Sequence, residues 1–255
     1  AKAILEESEK RSITWEFEPG KVKHWVTEVE TQGNPSRPDR KYLSYFWQNN
    51  IDGQGSRMIV HRDLDGKIEW GVWMQNDGTF INYREGAKEK LLIYPNYAQL
   101  EESKTGLDET SRNAIDNYIN YIKRYTDPQS LSERKLSYIK RIYDNGEISA
   151  EVRPNEGKVL IMTFRPAKNA VTSPESYPFE DVIEVRESDY SEIGRSTNYY
   201  FEDSHVERTI SRHLKRSEST PGEMDNNEFT KLISEWRNPK YVPITDIVER
   251  FKYMK

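Results

Sequence analysis

The 255-residue chain has no cysteine. Disulfides, thiolate zinc sites, iron–sulfur ligation and cysteine catalysis are therefore excluded together. No apolar run approaches the roughly 18 residues of a membrane-spanning helix, and AKAILEESEKR at the start lacks the apolar core of a secretory signal. With 13 Gly, 12 Pro and no G-X-Y period, collagen-like and low-complexity readings fail as well. What remains is rich in charge (32%) and in aromatics, with 16 Tyr, 6 Trp and 8 Phe. That aromatic content is too high for a disordered chain. The length suits one large domain or two small ones. The expectation is a soluble, acidic protein of the cytoplasm.

A net charge of −5 gives no general attraction to phosphate backbones, which need a clustered basic face. The densest basic stretch holds Arg208, Arg212, His213, Lys215 and Arg216. Apolar residues interrupt it at helical spacing, so it reads as the solvated face of a helix and nucleic acid is not an expected partner.

Periodicity divides the chain. Residues 1–11 form a short charged helical arm, too short to stand alone. Ile13, Trp15 and Phe17 then alternate with polar residues as a half-buried strand would. From Lys41 to Tyr94 the turn dipeptides Asp52-Gly53, Asp65-Gly66 and Asp77-Gly78 separate KYLSYFW, SRMIVHR, KIEWGVWM and TFINYR. Asp-Gly tolerates the positive φ of a tight hairpin turn, and the pattern predicts an antiparallel meander. Asp108 caps a helix with Ala114, Ile115, Tyr118, Ile119 and Ile122 on one stripe, ended at Asp127-Pro128. Residues 135–143, 147–153 and 158–165 read as further strands, followed by strands near Val182–Arg186 and Asn198–Phe201. Ser204 and Glu207 resemble a capping box for a helix carrying Val206, Ile210 and Leu214. Residues 217–226 are the best candidate for disorder. Phe229, Leu232, Ile233 and Trp236 form another helical stripe, and Thr245 or Asp246 caps a last short helix.

The expected fold is therefore mainly β (α+β), an antiparallel β-sandwich or meander with a short N-terminal helix, one mid-chain helix and C-terminal helices. The expected division is a helical arm at 1–11, a β domain at 12–202 with a helix inserted at 108–126, and a helical extension at 203–255.

Motifs with chemical meaning are few. His61-Arg62-Asp63-Leu64 spells the start of a kinase catalytic loop, but the magnesium-binding Asn position holds Ile68. Gly53-Gln54-Gly55 lacks the third glycine of a phosphate loop, and Gly55-Ser56 is not a nucleophile elbow. His24, His61, His205 and His213 lack the spacing to carboxylates of a metal site. Asp225-Asn226-Asn227-Glu228 lacks the spacing of a calcium loop, and Lys215–Ser219 carries no more than a common phosphorylation string. Glu69 and Asp77 lie near Trp70 and Trp73, which leaves open a carbohydrate-active hydrolase with paired carboxylates and a sugar platform. The plainer reading is that these tryptophans fill a sheet face. No catalytic residue, metal or cofactor is assigned.

Two segments, GKIEWGVWMQNDGTFIN (Gly66–Asn82) and IYDNGEISAEVRPNEGKVLIMTFRP (Ile142–Pro166), resemble early strands of insect cypovirus polyhedrins. That resemblance implies a self-assembling matrix subunit of intracellular occlusion bodies, partnered by copies of itself and dissolved by alkali as its tyrosines ionise. The aromatic content also suits repeated protein contacts. A module binding other proteins of a larger filament or complex is the companion expectation.

Overall fold

The computed structural model describes residues 1–51, 54–167, 179–201, 204–219 and 239–253. The chain falls into two compact units, one of residues 1–15, 25–44 and 132–216, the other of residues 16–24, 45–131 and 217–255. In chain order the described elements begin with α1 (Lys2–Glu16), β1 (Val22–Gln32), β2 (Arg40–Ile51), β3 (Gln54–Arg62), β4 (Ile68–Met74), β5 (Phe80–Arg84) and β6 (Leu91–Tyr94). Then come α2 (Tyr97–Ser103), α3 (Glu109–Thr126), α4 (Pro128–Ile142), β7 (Glu147–Arg153) and β8 (Gly157–Phe164). The last are β9 (Phe179–Arg186), β10 (Glu192–Tyr200), β11 (Val206–Ser219), β12 (Lys240–Tyr241) and α5 (Ile244–Phe251).

In the first unit the strands lie in the order β2-β1-β11-β10-β9-β8-β7. The antiparallel registers pair Leu160 with Val185 and Met162 with Ile183. Alternation along each strand therefore sends these residues and Phe164 to one face. That face is covered by helices: Leu5 of α1, Ile139 of α4 and Tyr143 complete its core. Full burial of each such side chain contributes about 1.5–3 kcal/mol. Lys2 ties the two helices together, its Nζ donating to the carbonyls of Lys140 and Tyr143 at 2.9 Å. A cation there also complements the negative end of α4.

The second unit orders its strands β12-β6-β5-β4-β3-β2, antiparallel except for β12 beside β6. The Asp-Gly turns at 65–66 and 77–78 behave as the sequence requires, with Gly66 at φ 85° and Gly78 at φ 87°; Asp52-Gly53 lies outside the described residues. Met74 and Tyr94 pack against Leu100 of α2, the Ala114–Ile122 stripe of α3, and Ile247 and Phe251 of α5. Asp108 caps α3 by accepting from the Ser111 N–H at 3.0 Å. Tyr118 is 1% exposed in this core, and its hydroxyl finds no partner among the described residues. An unpaired buried hydroxyl costs free energy that phenylalanine avoids. Tyr118→Phe is expected to unfold at or slightly above the wild-type urea midpoint, whereas Tyr118→Ala loses about 3–5 kcal/mol.

Several expectations need correction. A sandwich does not describe these units, because helices rather than a second sheet cover the apolar faces just described. Ile13, Trp15 and Phe17 are not a strand, since α1 continues to Glu16; Leu5, Ile13 and Phe17 are buried at helical spacing. Residues 135–142 are helical. Asp127 ends α3 and starts α4, its carboxylate accepting from the Ser130 N–H at 2.6 Å. Pro128 then occupies the first helical position, where a missing N–H costs nothing. The fourth is the helix expected to carry Val206, Ile210 and Leu214, which is the long strand β11; that strand also takes in 217–219 of the disorder candidate. At the last helix neither Thr245 nor Asp246 is the cap; Pro243 precedes α5 without a side-chain bond. The stripe at Phe229–Trp236 and most of the disorder candidate at 217–226 lie outside the described residues.

Candidate functional site

The face of the first unit's sheet away from its helix-covered core carries a hollow of about 530 Å³. Register builds it. Gly194 of β10 lies opposite Arg212 of β11 and Glu184 of β9, and Ser196 lies opposite Ile210 and Val182. Because strand side chains alternate, Arg208, Ile210, Arg212 and Leu214 all emerge on this one face. Arg208, Arg212 and Leu214 are exposed, and Leu214 leaves 56% of its surface to solvent. Gly194 keeps the floor open, since a Cβ there would stand 3.2 Å from Glu184 Oε2.

The charge of the hollow is settled by one pair. Arg153, at the end of β7, reaches across β8 to Glu184 and donates twice at 2.8 Å. Such a bidentate fork is the strongest form of this contact. These bonds hold the Glu184 carboxyl below its ordinary range against the opposing effect of burial, and Arg212 adds to the effect. Arg153 pairs with Glu184, and Arg208 and Arg212 together outnumber the other acidic lining residue, Glu156, beside apolar Ile210, Val182 and Leu214. Arg208 makes one long contact, to Ser196 Oγ at 3.4 Å.

The opposite face of the same strands holds an internal ionic network. A bulge between Glu192 and Gly194 turns Glu192 and Arg195 to the same side, where they pair at 2.9 Å. Glu9 of α1 stands 3.9 Å from Arg195 and 2.8 Å from Lys135 of α4. His213 contacts Glu192 at 3.7 Å and Thr27 Oγ1 at 3.0 Å. Burial alone would raise the Glu192 carboxyl, but the charge of Arg195 and the contact with His213 bring it down to about 2. Tyr143 donates its hydroxyl to Asp181, which is 5% exposed. Burial is the main cause of the upward shift of that phenol.

The residues singled out by sequence are dispersed. His61 packs on Trp70 at 4.6 Å, and Asp63 and Arg62 bond within the β3–β4 turn, so the kinase-like string is a strand end and its turn. Trp70 and Trp73 are three residues apart on β4 and therefore face opposite sides. Trp73 packs among Met58, Val60 and Ile81, and Asp77 accepts from Thr79 within its turn. They form no shared sugar platform. Ser56 is buried and accepts from the Trp73 indole at 3.1 Å. His24 stacks on Trp47, and His205 on Phe201. Among the described residues no three His, Asp or Glu side chains are placed to share a metal. Asp225–Glu228 lies outside the described residues. The sequence did show the basic stretch at 208–216, but not the face it occupies. The signal was present as strict alternation of Val206, Arg208, Ile210, Arg212 and Leu214.

No known family model and no curated protein matches the sequence. Three solved structures are similar in fold. One is a domain from Vibrio parahaemolyticus described as outer membrane lipoprotein-sorting, 12% identical over 89% of this chain and 98% of that one, at a TM-score of 0.33. Another is a LolA superfamily protein from Nitrosomonas europaea, 8% identical over 90% and 98%, also at 0.33. The third is MucB in complex with MucA, 12% identical over 88% and 58%, at 0.39. None of the three is a polyhedrin. No family model matches the sequence and helices rather than a second sheet cover the apolar faces, so the polyhedrin resemblance is withdrawn, together with the matrix-lattice role, the alkaline dissolution and the cytoplasmic placement. The quoted segments are the hairpins β4–β5 and β7–β8, a local pattern that unrelated antiparallel sheets share.

Proposed function

We propose that this chain is a binding protein, not an enzyme, and that the hollow of the first unit holds an anionic amphiphile. Such a molecule carries a carboxylate or phosphate next to an apolar chain. The observation that supports this is the pairing of two exposed arginines, Arg208 and Arg212, with Ile210 and Leu214 on one strand face. The arginines would take the anionic group and the apolar residues would lie along the chain. A volume of about 530 Å³ falls within the range of small-molecule sites. The lipoprotein-sorting description of one similar structure belongs to that protein and adds no ligand to this one.

Isothermal titration with decanoate, acetate, decanol, dodecyl phosphate and inorganic phosphate, each below any micellar concentration, tests the reading. Decanoate or dodecyl phosphate should bind, and acetate, inorganic phosphate and decanol should bind at least tenfold more weakly. That ordering also separates a lipid-like source of the anion from a free one. The double variant Arg208→Ala/Arg212→Ala should lose about 10- to 100-fold in affinity, the scale of a hydrogen bond to a charged group. Added salt should weaken binding, because both arginines face solvent. Equal affinity for decanol and decanoate, no binding of any probe, or an unaffected double variant would refute the reading.

A further inference from the structure

The outer edge of β7 points away from the arginine-lined hollow and shares only Arg153 with its lining. Among the described strands β7 pairs only with β8 and ends the order of its sheet. Six of its seven residues are exposed, including Ile148 at 48% and Val152 at 82%. An unpaired strand edge presents a row of backbone donors and acceptors, and on β7 the apolar Ile148, Ala150 and Val152 alternate along it with the charged or polar Glu147, Ser149, Glu151 and Arg153. We propose that β7 receives an extended peptide from another protein, added as an antiparallel strand, with basic residues alternating with apolar ones.

Alternation gives the edge two different sides. Ile148, Ala150 and Val152 share one side, and Glu147, Ser149, Glu151 and Arg153 share the other. Arg153 is already committed to Glu184 and Glu151. Two edge carboxylates, Glu147 and Glu151, stand against this one guanidinium, which Glu184 also shares, so the edge is net acidic. An added strand would therefore place apolar side chains against Ile148 and Val152, and Lys or Arg against Glu147 and Glu151. Cross-strand neighbours of opposite charge favour this pairing. At the start of β7 a cleft of about 310 Å³ is lined by Asp144, Asn145, Gly146, Glu147, Thr163 and Arg165. In an antiparallel addition it would meet the C-terminal part of the peptide.

A second copy of this chain fits less well. Pairing β7 with itself about Ala150 would gather both copies of Glu147 and Glu151 around arginines already engaged. The interface from one seven-residue strand is also small beside the roughly 1,200–2,000 Å² of stable protein pairs. A short peptide held by main-chain bonds and alternating side chains matches the scale of strand addition.

Fluorescence anisotropy with a labelled seven-residue peptide of alternating Lys and Val tests the proposal on the whole chain. The wild-type chain should bind it, and Glu147→Lys/Glu151→Lys should weaken it at least tenfold. A peptide of the same sequence with alternate backbone nitrogens methylated keeps its charge but cannot pair, and should lose binding to the same extent. Sedimentation velocity runs alongside. Equal binding of the methylated peptide, no effect of charge reversal, or a β7-mediated dimer that excludes the peptide would each overturn the proposal. The Arg208→Ala/Arg212→Ala variant should bind the peptide normally, so failure of this proposal is distinguishable from failure of the amphiphile reading.

Discussion

Alanine at Gly55 is expected to destabilise the protein by about 2–4 kcal/mol, near the upper end of single-residue effects. Its Cβ would stand 2.0 Å from the backbone oxygen of Thr126 and 2.9 Å from Cε1 of Phe17. Thr126 ends α3, is 5% exposed and donates its hydroxyl to the Ile122 carbonyl at 3.3 Å, so it is packed too tightly to yield cheaply. Gly20 supplies the control. It lies at φ 72° with nothing within 4 Å of a built Cβ, so Gly20→Ala carries only the strain of a left-handed conformation, about 1 kcal/mol. Urea denaturation followed by tryptophan fluorescence compares the two. Equal losses would mean that the close approach of α3 to β3 is not tight.

Acid is expected to weaken the first unit through Glu192. Its carboxyl titrates at about 2 in the folded chain, below the ordinary value of 4.5. A depressed pKa favours the folded state whenever the group is ionised. The contribution is complete above about pH 4.5 and disappears as the pH falls through about 2. The shift corresponds to about 3 kcal/mol as an upper figure. Glu192→Gln removes the charge at every pH. The variant should therefore be markedly less stable than wild type at pH 7, and the gap should close as the pH is lowered toward 2. A gap that stays constant between pH 7 and pH 2.5 would show that the pairing with Arg195 and His213 contributes nothing.

The parts of the fold that were legible share one property: a turn residue with a single conformational meaning. Asp65-Gly66 and Asp77-Gly78 demand positive φ at glycine, and the strands beside them follow. The α3 stripe was legible because Asp108 marks its start and five apolar residues repeat at 3.6 spacing. Failures occurred where the spacing suits both periods. Val206, Ile210 and Leu214 are four apart, which keeps them on one face of a helix and on one face of a strand. Arg208 and Arg212 between them thus read equally well as the polar side of a helix. Residues 135–143 failed in the opposite sense, because Leu136, Tyr138 and Lys140 alternate in character while Ile139 and Tyr143 hold the buried helical positions. The candidate site shared that fate: its arginines were visible, its floor was not.

Composition and local spacing by themselves determined the absence of thiol chemistry, the hairpins built on Asp65-Gly66 and Asp77-Gly78, the capped α3 stripe, and a chain dominated by strands. Only the tertiary structure decided that 206–219 is a strand, that the N-terminal helix runs on from 11 to 16, and that 128–142 is a helix. It alone set Arg153 across β8 onto Glu184 and brought Arg208 and Arg212 onto the same sheet face. The physical reason is range. Turn and cap chemistry is satisfied within a few residues, whereas the choice of period for an ambiguous segment depends on the face it can bury, and that face is contributed by residues far away in the chain.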